Sequence, residues 1–246
     1  MKIKKILIIS LFLLILASVT IGASYAASSE KISAFSGKDI QTYDKNICSV
    51  DKIWTWDAKS NIKEHYKVNI KKTNQNKYKI KSVKCKFRVY NSEATGEDIV
   101  YKTYDGKNKT SLVIKPSFKD FEIESITINY QTKEKIKSES TKFQQKTVKC
   151  VYYTEFIGKK AKINVTEKGY FSFIEKNDYT YSHKFNINTI SQKDKIKTVK
   201  AIFYGPTGSI VKSSTFNGNG KTSLTKEIKG KFYDRTRIGQ FQVSYS

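Results

Sequence analysis

The sequence predicts an all-β protein made of two tandem β-sandwich domains behind an export signal. Three observations carry this reading. The first is a duplication. Lys79-Ile80-Lys81-Ser82-Val83-Lys84-Cys85-Lys86-Phe87 returns as Lys195-Ile196-Lys197-Thr198-Val199-Lys200-Ala201-Ile202-Phe203. Upstream, Tyr66-Lys67-Val68-Asn69-Ile70 matches His183-Lys184-Phe185-Asn186-Ile187. Downstream, Lys109-Thr110-Ser111-Leu112 matches Lys221-Thr222-Ser223-Leu224, and Ile126-Thr127-Ile128-Asn129-Tyr130 matches Phe241-Gln242-Val243-Ser244-Tyr245. The spacing of about 115 residues is domain-sized, well above the roughly 20–50 residues of a solenoid repeat. The second observation is alternation. Val83, Cys85, Phe87 and Val89 fall on one face and Lys84, Lys86 and Arg88 on the other, the period of a half-buried strand. The third is that such runs are short and separated by turn formers, the pattern of a two-layer sandwich.

Taken in order, Met1–Ala26 reads as a secretory signal peptide. Lys2, Lys4 and Lys5 precede the apolar run Ile6–Leu16, and Ser24-Tyr25-Ala26 places small residues where a signal peptidase cuts. The run is shorter than the roughly 20 residues of a membrane span, so cleavage is expected rather than retention as an anchor. Residues 27–44 are polar and read as a tether or an edge strand. Residues 45–132 form the first repeat, with strands near Ile53–Trp56, Glu64–Lys71, Lys79–Tyr90, Ile99–Tyr104, Thr110–Lys115 and Glu122–Tyr130. Residues 133–163 connect the copies and hold one strand over Val148–Phe156. Residues 164–246 form the second repeat, with strands near Tyr170–Ile174, Tyr181–Asn188, Ile196–Tyr204, Ile210–Phe216, Thr222–Ile228 and Ile238–Tyr245. Asp105-Gly106, Asn217-Gly218 and Asn219-Gly220 suit the positive φ angles of tight hairpins. Pro116 and Pro206, the only prolines, fall outside strand interiors.

Charge bounds the partners. Lys and Arg number 46 against 22 Asp and Glu, a net +24, and loss of the signal leaves +21. Only Arg88, Arg235 and Arg237 are arginines, the residue that reads phosphate and guanine bidentately, and the lysines are spread over most strand faces. Nucleic acid is therefore not expected as a partner. An anionic cell-wall polymer or a membrane surface is expected, through screened and multivalent attraction, with other surface proteins as a further class.

No residue set reads as catalytic, and neither a metal nor a cofactor is expected. A nucleophilic cysteine needs a base beside it, and the only histidines, His65 and His183, sit on matching strands of different copies, so catalysis is not expected. The cysteines match no zinc spacing. Asp105, Asn108, Asn217 and Asn219 carry oxygens that calcium uses, but their placement is that of turns. Export permits disulfides. Cys48 and Cys85 occur together in the first copy, where the second has Asn164 and Ala201, which suggests a Cys48–Cys85 bridge with Cys150 outside it. Buried thiols and a Cys48–Cys150 bridge are the alternatives. Asn108 and Asn164 begin glycosylation sequons. Trp54, Trp56, Tyr152 and Tyr153 are either packing residues, the preferred reading, or platforms for sugar rings. The ligand-binding residues are not identified.

Val199-Lys200-Ala201-Ile202-Phe203-Tyr204, the Gly208 turn, Gly220-Lys221-Thr222-Ser223-Leu224 and the closing Phe241-Gln242-Val243-Ser244-Tyr245 carry a resemblance. The repeat resembles the immunoglobulin-like repeats of archaeal and bacterial adhesin-like surface proteins, over both copies. The resemblance implies two tandem immunoglobulin-like β-sandwich domains after a signal peptide. It also implies a secreted or cell-surface, envelope-associated, non-enzymatic binding module, and brings no shared site residues. A structural spacer or envelope component, and a glycan-binding accessory module of a wall-active system, are the alternatives.

Overall fold

The structure is a computed structural model, and it describes residues 28–59, 61–90, 97–132, 136–142, 147–172, 179–205, 207–233 and 236–246. The expected signal peptide Met1–Ala26, Pro206 and Arg235 lie outside them. The described residues are almost wholly antiparallel strand, with one short 3-10 turn at Lys72–Asn74. No helix among them is long and apolar enough to cross a membrane.

In chain order the strands are β1 (Ser29–Asp44), β2 (Cys48–Trp56), β3 (Ile62–Ile70), β4 (Lys79–Tyr90), β5 (Glu97–Lys109), β6 (Ser111–Ile114), β7 (Phe121–Gln131) and β8 (Ile136–Lys142). They continue as β9 (Thr147–Ile157), β10 (Ala161–Ser172), β11 (Tyr179–Thr189), β12 (Ile196–Tyr204), β13 (Ile210–Lys221), β14 (Ser223–Tyr233) and β15 (Arg237–Tyr245). They enclose two cores. In the first half, β2, β3 and β6 face the sheet β5-β4-β7-β8. Alternate residues of β4 and β7 point inward there, so Val83, Cys85, Phe87, Ile126, Ile128 and Tyr130 meet Cys48, Val50, Tyr66 and Val68. In the second half, β9, β10, β11 and β14 face β13-β12-β15. There Val199, Ala201, Phe203, Phe241 and Val243 meet Ile163, Val165, Phe185 and Ile187. Cys85 and Ala201 occupy matching places: both are fully buried, and each faces the equivalent residue of the closing strand, Ile126 or Phe241.

The segments before each repeat do more than tether. Residues 27–44, expected as a tether or edge strand, supply β1, a strand inside the largest sheet. Its start, Ser29–Ser33, pairs with β15 and closes the second layer of the second half. After an irregularity at Ala34–Ser36, the rest pairs with β2 on one side and β9 on the other. The connecting segment repeats this path. β8 pairs with β7 in the first half, and β9 passes on to lie between β1 and β10. The halves therefore exchange strands, and the continuous order β6-β3-β2-β1-β9-β10-β11-β14 runs through both. Ile40 faces Val151 at its centre, while each also faces its own half, at Ile53 and Lys168. Both exchanged strands are anchored at two ends: Ile32 and Phe156 in the second core, Tyr43 and Val148 in the first.

The turns correct one expectation. Gly106 and Gly218 do not supply positive φ angles. Lys107 (48°), Asn108 (54°), Asn219 (54°) and Gly220 (64°) do. Asp105 and Asn217 hold the turns by accepting the N–H of Lys107 and Asn219 at 2.8 Å. Gly106 and Gly218 answer to close approach instead. A Cβ there would lie 2.2 Å from the Ile80 carbonyl oxygen or 2.3 Å from that of Ile196.

Candidate functional site

The expected Cys48–Cys85 bridge is not formed: Cys48, Cys85 and Cys150 are all buried and none is in a disulfide. Strand pairing explains the difference. Cys48 faces Ile70 as Ile163 faces Ile187, so the counterpart of Cys48 is the core residue Ile163 and not Asn164. Cys48 and Cys85 are packing residues, small hydrophobes at apolar positions. They also lie at different levels of the core. Cys48 contacts the Tyr130 hydroxyl, and Tyr130 stands opposite Ile80, five residues before Cys85 in β4. Burial pushes the Cys48 thiol up to about 11 and the Cys85 thiol up to about 12, so both are protonated and unreactive near neutrality. Cys150 lies on β9 opposite Gln41. Asn108 and Asn164 are both exposed.

His183 has a partner that sequence reasoning missed. Its Nδ1 lies 2.7 Å from Glu167 Oε1, which also accepts the Ile238 N–H at 2.8 Å, and both side chains are fully buried. His183 Nε2 has no hydrogen-bond partner and lies among the rings of Phe203 and Phe232, at 5.0 and 4.7 Å between centroids. Sealed in this way, the pair offers a substrate no access. In the first half Lys52 and Tyr66 occupy the matching positions. Among the described residues no cluster of His, Cys, Asp and Glu could hold a metal ion.

Where the halves differ most, a cleft opens. β14 follows β11 along almost its whole length, from Asn188 back to Tyr179. β6 has only four residues and pairs with β3 from Asn69 to Tyr66. It stops before Pro116, which cannot donate to a ladder. The linker beyond it turns toward β7, and its Phe118 packs on Phe87 and Phe121, at 5.1 and 6.2 Å between centroids. Ile62–His65 of β3 therefore has β2 as its only ladder partner among the described residues. Between that edge and the linker lies a cleft of about 740 Å³. Backbone alternation orients the edge. The Ile70 N–H points toward β6, reaching Thr110 O at 2.9 Å, and the Lys71 N–H points toward β2, reaching Ile47 O at 3.0 Å. The N–H and C=O groups of Ile62 and Glu64 accordingly face the cleft.

Trp54 and Ile62 form one wall, Phe118 and Phe121 the other. Trp54 is fixed in place. Its Nε1 donates to Glu64 Oε2 at 2.6 Å, and Lys52 Nζ sits 4.7 Å from the ring centroid. Glu64 is neutralised within the wall by Lys52 at 3.5 Å and also accepts the Tyr66 hydroxyl. The exposed rim charges are Lys63, Lys115 and Lys119 against Asp120. Burial, with Lys38 and Lys115 nearby, lowers the pKa of His65 and leaves it neutral at physiological pH. The other aromatics do not reach the cleft. Trp56 packs over Gly37, Tyr152 lies 3.7 Å beneath the Arg237 guanidinium, and Tyr153 is exposed on β9. Comparison with family models, with curated proteins and with solved structures finds no match.

Proposed function

We propose that the chain is a secreted or cell-surface, non-enzymatic binding module of the adhesin-like kind, built of two immunoglobulin-like halves and held at the envelope. The observation that carries this is the preorganised cleft at Trp54, a recessed aromatic site on an otherwise lysine-coated surface. The connectivity supports the immunoglobulin-like reading. In each half two hairpin-linked strands pass to the opposite layer, a second hairpin comes next, and the chain returns to each layer in turn. The net charge supports an anionic wall polymer or lipid head groups as the surface on which the module rests.

Retention on isolated envelopes, measured across a salt series, tests this. Attachment through lysines should fall steeply between physiological and molar salt, as the screening length shrinks from about 8 to about 3 Å. Trp54→Ala should weaken the salt-resistant remainder by about tenfold or more, as loss of a buried aromatic anchor does. Its thermal midpoint, measured alongside, separates lost binding from lost structure. Retention unaffected by both salt and Trp54→Ala would overturn the proposal.

A further inference from the structure

We infer that the open edge of β3 takes an extended acidic segment of another polypeptide as an added strand; this deepens the reading of the Trp54 cleft as a binding site and rests on it. The molecule carries its own template. In the second half, Tyr179, Thr180 and Ser182 of β11 are paired with Tyr233, Phe232 and Lys229 of β14. The corresponding stretch of β3, Ile62–His65, has the same β2-type neighbour and, among the described residues, no covering strand. Its outward backbone groups, at Ile62 and Glu64, are the unsatisfied ladder positions that strand addition uses. Ile62 is 70% exposed, so the edge is open to solvent.

Side chains select the occupant. An added strand would send alternate side chains between Trp54 and Phe118, and the others toward the rim. The rim offers Lys63, Lys115 and Lys119 against the single acid Asp120, because Glu64 is already paired with Lys52. Acidic residues at the outward positions complete that balance. A second copy of this chain fits poorly: its net charge is +24, and the edge strands β13 and β14 carry lysines of their own. A sugar chain would use the aromatic wall but not the alternating N–H and C=O groups.

The probe is a capped peptide of about eight residues alternating glutamate and valine, added to the full chain. Calorimetry should show binding, and amide exchange should slow at Ile62 and Glu64 while Tyr179–Ser182 stays unchanged. N-methylation of alternate peptide bonds on the pairing side should weaken binding at least about tenfold, because it removes ladder donors and nothing else of the charge. Lys63→Glu with Lys115→Glu, both exposed positions, should weaken it comparably without moving the thermal midpoint. Equal binding of the N-methylated peptide, or binding without protection of the edge, would overturn the inference. Polygalacturonate provides the distinguishing arm. If it binds in a Trp54-dependent manner and the peptide does not, the cleft remains a binding site and strand addition falls. If neither binds and Trp54→Ala leaves envelope retention intact, both readings fall. Protection of Ile62 and Glu64 that rises with protein concentration alone would assign the edge to a second copy instead.

Discussion

The two halves share a backbone plan and finish it differently. The second half is complete: β14 runs for eleven residues beside β11, and its core holds Glu167 and His183 as a pair sealed from solvent. The first half stops short: β6 runs for four residues, and near the matching place Lys52 and Glu64, a pair that solvent still reaches, join the buried Tyr66 beside a cleft. Duplication thus left one copy closed and the other with an open edge. The members of a fully buried hydrogen-bonded pair depend on each other, because either one alone leaves a polar group unsatisfied, whereas a pair that solvent still reaches loses less when one member is changed. Tolerance of change and access to ligand therefore fall in the same half.

The largest expected effect breaks the comparison at that point. Glu167→Ala leaves His183 Nδ1 without its partner and the Ile238 N–H without its acceptor in a dry core, and with the cavity it opens should destabilise by about 3–5 kcal/mol. Lys52→Ala, at the matching position, removes one partner of a largely buried pair that solvent still reaches, and should cost less, about 1–2 kcal/mol. Urea unfolding of the two variants measures both, and similar losses would mean that the halves do not differ in the way their burial implies. Next in size is Ile32→Ala, expected at about 2–5 kcal/mol from the cavity it leaves in the second core. Its informative feature is location. Although Ile32 precedes the first repeat in sequence, amide exchange should quicken in β12 and β15 and stay unchanged in β4 and β7, because the strand is lent across the molecule.

That exchange of strands is not legible in the sequence, and the reason is physical. β4 and β12 are legible to their end residues, Lys79–Tyr90 and Ile196–Tyr204, because one face is buried and the other bears lysines. β1 has apolar core anchors only at Ile32 and Tyr43, one in each core. Between them neighbouring strands cover both of its edges, and inward groups such as Asp39 are satisfied by Arg237 at 3.2 Å. A polar strand satisfied by polar partners carries no alternation to read. β8, Ile136–Lys142, is hidden for a similar reason, since its sequence is mostly Lys, Ser, Glu and Thr. The cleft is half legible. Trp54 stands out, and Pro116 marks the end of β6, but the matched Lys109-Thr110-Ser111-Leu112 and Lys221-Thr222-Ser223-Leu224 suggest strands of similar length. The residues C-terminal to that match decide the outcome: the linker to β7 leaves the sheet, while β14 continues through Lys226–Tyr233.

The smallest expected effect, per group and per pH unit, concerns pH, and it should separate the halves from the alkaline side. Cys48 and Cys85 both lie in the first core, and burial raises both thiols from about 9 in the unfolded chain to about 11 and about 12. A thiol whose folded pKa is raised binds its proton more tightly in the native state. Its contribution is fully present below pH 9, because both states are then protonated. Above pH 9 the unfolded chain ionises first, and stability falls by about 1.4 kcal/mol per pH unit per group until the folded pKa is reached. The buried hydroxyls of Tyr43, Tyr66 and Tyr130, raised by burial in the same core, add to the loss as pH passes the ordinary tyrosine value near 10. The second core contains no thiol among its described residues, and Tyr245 is its corresponding raised hydroxyl. Amide exchange monitored from pH 8 upward should therefore open β4 and β7 before β12 and β15. Cys85→Ala should move that onset upward at a cost of about 1 kcal/mol near neutrality, the value of one small buried group. A reductant should leave the thermal midpoint where it is, since none of the three cysteines is bridged. A midpoint that drops on reduction would show a disulfide and remove the thiol account of the first half, and simultaneous opening of both halves would place the alkaline sensitivity in the strands they share.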